Sequence, residues 1–324
     1  MPRTSRFTRT LALAVAVLIC VALSACSSTP DEGDADGAEH TISTAYGDVT
    51  APTTPVRVAA LSYDTPWQLQ SLGVKPVAVQ DYGKFISSFT PEQQDFVDGI
   101  ATIGSFGELN FEAVAAANPD LIVGDADEID EAAFEQLSDI APTVIVKGDS
   151  RGDWKAITER LAEAVGETEA LKTTRDTYTS TLARVKKDYA DVIADNKWIH
   201  FSLGDDAGQF SVQQPTGAVG NLVVNELGVK YGPGVPTDYR DSGYGSYPFE
   251  QLGTVFDGVT VALHPLNADG SANPAIQAVI DNGLFQRLDV AKSGHVFGLT
   301  TSVTDYATAT QWVEEIEQKV LAVV

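Results

Sequence analysis

ETEALKTTRDTYTSTLARVKKDYADVI, Glu167 to Ile193, is the stretch on which the fold turns. It contains neither Gly nor Pro, and Leu171, Tyr178, Leu182, Val185, Tyr189, Val192 and Ile193 recur at helical spacing. At 1.5 Å per residue, such a segment makes a rod of about 40 Å near the middle of the chain. Its apolar stripe is too short and too sparse for the several heptads of a coiled coil. The reading is a rigid connector, residues 167–194, between two domains.

On both sides of this rod the pattern changes to short alternating elements. Upstream, strand-like runs at Val56–Leu61, Pro76–Val79, Leu121–Gly124 and Thr143–Val146 are interleaved with helix-like runs at Trp67–Leu72, Phe111–Ala117, Ala132–Leu137 and Trp154–Val165. Gly166 supplies a C-cap for the last of these. Two further strands, His40–Thr44 and Asp48–Ala51, flank the turn residues Tyr46-Gly47-Asp48. Downstream, strands at Trp198–Leu203, Thr260–Leu263 and His295–Leu299 alternate with helices at Ala218–Leu227, Asn273–Ile280 and Ala307–Val324. Such alternation predicts βα units around mainly parallel sheets. The expected organisation is two α/β lobes, residues 40–166 and 195–324, joined by a single long α-helix.

The first 39 residues read differently. Arg3, Arg6 and Arg9 precede an apolar run from Leu11 to Leu23, which is too short for a membrane span, and small residues lead to Cys26. Residues 1–25 therefore read as a secretory signal peptide. Leu23-Ser24-Ala25-Cys26 looks like a bacterial lipobox, in which the Cys thiol receives a diacylglyceryl group. Residues 26–39 then carry only negative charge and no large apolar side chain, as expected of a flexible tether. The other cysteine, Cys20, departs with the signal, so no disulfide is expected despite the oxidising compartment.

The full chain has 45 Asp plus Glu against 21 Lys plus Arg, a formal net charge of −24; losing the three leader arginines takes it to −27. Nucleic acid is excluded as a partner, and attachment to anionic lipid needs a hydrocarbon anchor rather than charge.

The stretches TAYGDVTAPTTPVRVAAL (Thr44–Leu61), LGVKPVAV (Leu72–Val79), IGSFGELNFEAVAAANPDLIVG (Ile103–Gly124), LSDIAPTVIV (Leu137–Val146) and DWKAITERLAEAVG (Asp153–Gly166) resemble, in order, the substrate-binding lipoproteins of iron-siderophore, haem and vitamin B12 ABC importers. The second half is matched more thinly, by YPFEQLGTVFDGVTVAL (Tyr247–Leu263) and the closing helix with Trp312. The resemblance implies two α/β lobes around one connecting helix, a ligand cleft between them, no catalysis and no cofactor. It implies a ferric siderophore as ligand, an ABC permease as partner, and a monomer anchored outside the cytoplasm. Haem, cobalamin or bare ferric iron are the alternatives of the same fold. It also implies that Glu112 and Glu250, one per lobe, dock onto permease arginines; charge-assisted contacts of that kind are strong.

In α/β folds the ligand lies outside the carboxyl ends of the strands. That places Tyr63, Trp67, Tyr82, Phe106, Asp125, Arg151 and Trp154 of the first half at the cleft. From the Gly- and Tyr-rich run Tyr231–Tyr247 it adds Tyr239, Arg240, Tyr244 and Tyr247. Aromatic faces and guanidinium groups suit a ferric chelate with a π-rich rim and anionic donor oxygens. Hydroxamate binders of the class often carry an Arg just before the first docking Glu, whereas this chain has Ser105 and Phe106 in that loop, leaving Arg240 or Arg151 as the candidate cation.

Two rival patterns are weaker. Gly148-Asp149-Ser150-Arg151-Gly152 matches the nucleophile elbow of a serine hydrolase, but no oxyanion loop precedes it. A metal-ion receptor needs convergent His and carboxylate ligands, and the four His stand apart at 40, 200, 264 and 295, so no metal site is expected.

Overall fold

The computed structural model describes residues 37–149, 153–214, 217–237 and 244–324. Within the compact unit Glu39–Val324, an antiparallel hairpin of β1 (Glu39–Thr44) and β2 (Gly47–Pro52) precedes a six-stranded sheet. That sheet comprises β3 (Val58–Ala60), β4 (Ala78–Asp81), β5 (Ala101–Ser105), β6 (Glu108–Leu109), β7 (Leu121–Asp125) and β8 (Thr143–Val146), in the order β6-β5-β4-β3-β7-β8. All its neighbours are parallel except the β5–β6 pair. β8, TVIV, is buried at every position, as a parallel strand covered on both faces must be. The helices of this lobe are α1 (Thr65–Ser71), α2 (Pro91–Val97), α3 (Phe111–Ala116), α4 (Glu131–Ser138) and α5 (Trp154–Ala164).

The tight β5–β6 turn depends on glycine. Gly104 has φ +111°, and a Cβ there would fall 2.0 Å from the Glu108 carbonyl oxygen. The turn presents Phe106 at its tip, 54% exposed. Gly166, φ +76°, ends α5 as its sequence predicts, with no room for a side chain beside the Thr53 carbonyl.

The connecting rod is α6 (Thr168–Asp188), 21 residues, and it stops one turn earlier than the sequence periodicity suggests. At Tyr189 the backbone leaves helical geometry (φ −118°, ψ 26°), and a separate short helix, α7 (Ala190–Asp195), follows. An unbroken apolar pattern conceals such a break because Tyr189, Val192 and Ile193 still pack on the same core.

The second sheet comprises β9 (Lys197–Leu203), β10 (Gln209–Gln213), β11 (Lys230–Tyr231), β12 (Tyr244–Pro248), β13 (Val261–Pro265) and β14 (Val296–Leu299). Its order is β12-β10-β9-β13-β14, with β11 also beside β9. β9, β11, β13 and β14 are parallel; β10 and β12 form an antiparallel edge. The sequence reading missed that edge, because Ser, Gln and Gly hide its alternation. The helices here are α8 (Ala218–Gly220), continued by a π-helical turn to Leu227, then α9 (Leu252–Val255), α10 (Pro274–Ile280), α11 (Asp289–Lys292) and α12 (Tyr306–Ile316).

One apolar core runs through both lobes. Trp67 and Trp154 of the first, Tyr178 and Leu182 of α6, and Trp198 and Trp312 of the second belong to the same buried cluster. At its centre Trp154, Tyr178 and Tyr306 meet edge to face, with centroids 5.0–5.8 Å apart. Lys155 Nζ lies over the Trp154 and Tyr178 rings and pairs with Glu226 Oε1 at 2.6 Å, while the Tyr306 hydroxyl donates to Glu159 Oε1 at 2.8 Å. The Gln68 amide donates to the Thr304 carbonyl oxygen at 3.1 Å. These bonds connect α1 and α5 of the first lobe with the second lobe and the rod, so the lobes are fixed by packing rather than by a flexible strap.

Candidate functional site

The parallel strands of each sheet end toward the other lobe, and their loops line a series of cavities. One, of about 270 Å³, is walled by Ser62, Tyr63 and Asp64 after β3, Asp125, Asp127 and Glu128 after β7, Phe106, and Trp154 with Ile157 of α5; Ala218 and Val303 close it from the second lobe. Beside it, a cavity of about 340 Å³ is lined, among the described residues, by the first lobe alone; it shares Phe106, Asp127 and Glu128 and reaches Gln80 and Glu108. Two others, of about 240 and 220 Å³, lie where α2 and Ser88 face the Thr301-Ser302 loop.

Tyr63 is half-buried at the centre of an aromatic group. Its ring meets Tyr82 at 5.4 Å, Phe85 at 5.8 Å, Phe89 at 5.6 Å and Phe106 at 6.0 Å between centroids. Tyr82 is buried beneath it, and its hydroxyl donates to the Tyr63 carbonyl oxygen at 2.7 Å. Burial, then the Asp64 and Glu128 charges, push the Tyr63 hydroxyl up to about 12; both tyrosines are neutral hydrogen-bonding groups at physiological pH. Trp67 packs under Tyr82 and Phe89 at 5.3 and 4.6 Å, facing the Thr90 side of the cleft instead of the central cavity. Trp154 is buried in the aromatic knot and shows one edge to the central cavity. The expected aromatics thus form a supporting layer (Trp67, Tyr82) and a facing layer (Tyr63, Phe106, Trp154).

The candidate cations Arg151 and Arg240 lie outside the described residues, and the described charged groups of the first-lobe wall are acidic. Asp125 stands at the end of β7, its N–H bonded to Ser62 Oγ at 2.7 Å and its Oδ1 accepting from Asp127 N–H at 2.7 Å. Glu128 accepts from Tyr63 N–H at 2.9 Å and from Gln80 Nε2 at 2.9 Å. Asp64 touches the water of the cleft yet has protein on most sides. That concave burial, then Glu128, Asp125 and Asp305, push its carboxyl up to about 7.

Tyr244 and Tyr247 lie on the edge strand β12. The Tyr244 hydroxyl donates to Asp205 Oδ1 at 2.9 Å, and the Tyr247 ring packs 5.9 Å from Phe210. Neither lines the cavities above. Glu112 and Glu250 are exposed, each in the first turn of its helix after a chain reversal at the cleft side of its sheet; Asn110 caps α3 by accepting from Ala113 N–H. Arg151, Tyr239, Arg240, Ser150 and Cys26 lie outside the described residues.

On the second lobe, sequence reasoning chose the Tyr231–Tyr247 run and did not name another group of residues. His200, Leu203, Asn267, Thr301 and Ser302 line the cleft from the ends of β9, β13 and β14. The available signal was their position directly after predicted strands. His200 and His264 are both buried; desolvation, then His264, lower His200 to about 4, and desolvation also lowers His264, whose Nδ1 lies 3.1 Å from the Pro265 carbonyl oxygen. Among the described residues, no three His, Cys, Asp or Glu side chains converge as a metal site.

Two α/β lobes around a stiff helix, with a recessed pocket between the strand ends, define a solute-binding protein. More narrowly, a family model described as periplasmic binding protein matches residues 58–303, and the chain belongs to that family; it is a transport receptor and not an enzyme. It is similar, at 24% identity over 91% of both chains, to YhfQ of Bacillus subtilis (strain 168), provisionally named an ABC transporter substrate-binding lipoprotein. The petrobactin-binding protein YclQ of the same organism is 24% identical over 94% of this chain and 96% of its own. Among solved structures, the siderophore periplasmic binding protein from the fuscachelin gene cluster of Thermobifida fusca superposes with a TM-score of 0.73 at 25% identity, covering 84% of this chain and 98% of that one.

Proposed function

We propose that the chain is an extracytoplasmic receptor that captures a ferric siderophore between its lobes and hands it to an ABC permease for iron uptake. The observation that carries this reading is the pocket of Tyr63, Phe106 and Trp154 between the strand ends of two rigidly connected lobes. Flat aromatic groups fit the rim of a bulky chelate, and capture needs neither cofactor nor covalent step. The T. fusca siderophore protein and petrobactin-binding YclQ support the ligand class.

In the same reading, residues 1–25 are a signal peptide, Cys26 carries the lipid, and 26–39 tether a monomeric body of lobes 40–166 and 195–324 around connector 167–194. The lipobox-like Leu23–Cys26 and the lipoprotein name of YhfQ support the anchor. Among the described residues no helix is long and apolar enough to cross a membrane. Glu112 and Glu250, both exposed, meet arginines of the permease. Arg151, Tyr239 and Arg240, with Asp125, complete the expected ligand contacts.

The test is a titration of the full chain in mild detergent, followed by tryptophan fluorescence, against ferric hydroxamate, catecholate and citrate complexes, haem, cyanocobalamin and free Fe(III). Trp154 at the pocket edge should report binding by quenching. Saturable quenching by a ferric chelate and not by free iron supports the reading. Binding of haem, cobalamin or bare iron in place of every chelate removes the siderophore assignment.

A further inference from the structure

We propose that Gly298, acting through Leu266, sets the depth of the second-lobe compartment of the cleft, and so the bulk of the apolar part of a ferric chelate that the receptor accepts. This inference rests on the ferric-siderophore reading and narrows it.

A glycine inside a strand weakens it and packs nothing, so its presence marks a close approach. Gly298 lies in β14, paired in register with His264 of β13, and it is not one of the glycines with positive φ. Alanine can adopt the same backbone. What stands in the way of a side chain is Leu266: a Cβ on Gly298 would fall 2.6 Å from Leu266 Cγ and Cδ1 and 2.8 Å from Cδ2.

The Leu266 backbone is held in place. Its N–H donates to the Leu299 carbonyl oxygen at 2.7 Å, and it directly follows Pro265, the last residue of β13. Its half-buried side chain rests on Gly298 and lines the cavity of about 220 Å³. A methyl group on Gly298 would therefore drive the Leu266 side chain into that cavity, whereas shortening Leu266 would deepen it.

The compartment suits an apolar occupant. Leu203, Val219 and Ile276 share its wall with Leu266, and Leu203 is 46% exposed at the tip of β9. Apolar ligand surface that covers such a leucine removes both from water. Asn267, Thr301 and Ser302 add hydrogen-bonding groups that orient the occupant. In an apolar pocket one methylene more or less changes affinity about tenfold or more, so the position of one leucine is enough to select.

The experiment is a double-variant cycle on the full chain in mild detergent, with Gly298→Ala, Leu266→Ala and both together. The probes are ferric citrate, ferric enterobactin, and ferrioxamine B acylated on its terminal nitrogen with an acetyl or a hexanoyl group; the two acyl forms differ only in the length of an apolar arm. Trp312, which borders the compartment, reports binding by quenching, and thermal unfolding verifies that each variant is folded. Gly298→Ala should weaken the tightest-bound chelate at least about tenfold in the parent, and less than about threefold in the Leu266→Ala background. Leu266→Ala should shift preference toward bulk, hexanoyl over acetyl or enterobactin over citrate, by at least about tenfold. A Gly298→Ala effect of equal size in both backgrounds, or none in the parent, overturns the proposal and leaves chelate capture intact. So does an unshifted preference in Leu266→Ala. Silence from every ferric chelate in the parent removes the capture reading itself, and the proposal with it.

Discussion

Replacing Asp305 by alanine tests how the second wall of the cleft is held. Asp305 is fully buried at the start of α12, and its carboxylate accepts from Ala307 N–H at 2.7 Å, Thr308 N–H at 3.0 Å and the Thr304 hydroxyl at 2.8 Å. The Thr308 hydroxyl oxygen accepts from Asp305 N–H at 3.0 Å in return, which closes a capping box. Alanine removes the cap, at about 1–2 kcal/mol, and leaves two amide donors without their partner, at about 1–3 kcal/mol for each that water cannot reach. Asp305 and Thr308 border a cavity, so water reaches one of them. The expected loss is about 3 kcal/mol, or a fall in Tm of roughly 5 °C for a unit of this size. Asparagine preserves the cap and removes a charge whose carboxyl burial pushes upward, so Asp305→Asn should stay within about 1 kcal/mol of the parent. Urea unfolding followed by circular dichroism, with calorimetry for Tm, measures both. A loss below about 1 kcal/mol for alanine, or an equal loss for asparagine, refutes the capping account.

Three other outcomes are expected. Because His200 is held neutral, with its folded value lowered to about 4, its contribution to stability is complete above the unfolded value and is lost as pH falls through about 4. Unfolding measured at pH 7 and pH 4 should show about 3 kcal/mol of this dependence, absent in His200→Gln; an unchanged pH profile in the variant refutes it. Glu112→Arg and Glu250→Arg should abolish iron-chelate uptake by cells while changing ligand affinity less than about threefold, since both residues lie outside the cavities; a parallel loss of affinity would move them into the binding site. Cys26→Ala should shift the protein from the membrane fraction to the soluble fraction, and retention at the membrane refutes the lipid anchor.

Much of the fold was legible because parallel strands announce themselves. Thr143–Val146 is apolar or β-branched throughout, and it is buried throughout. The edge strand at Tyr244–Pro248 was not legible, since YGSYP lies at a sheet margin where burial imposes no pattern. The break at Tyr189 was hidden for the opposite reason: the apolar spacing continues across it. In the site, the aromatic residues could be chosen by type and by position after strands, yet their order in depth, Trp67 and Tyr82 beneath Tyr63, depends on packing that only the fold supplies. The acidic groups of the first-lobe wall were written in Asp64 and in Asp125–Glu128, but Asp64 and Asp125 are 61 positions apart and come together only when β3 and β7 pair.

The buried cluster that passes from Trp67 through Tyr178 to Trp312 separates what holds the molecule's dimensions from what chooses its cargo. The placement of one lobe against the other is set by tryptophans and tyrosines behind the pocket, whereas loop side chains at the strand tips line it. In the proposed docking, substitutions among those loops change which chelate is carried while the permease still meets an unaltered gauge. Receptors of one such build, each with its own appetite, can share a single transporter.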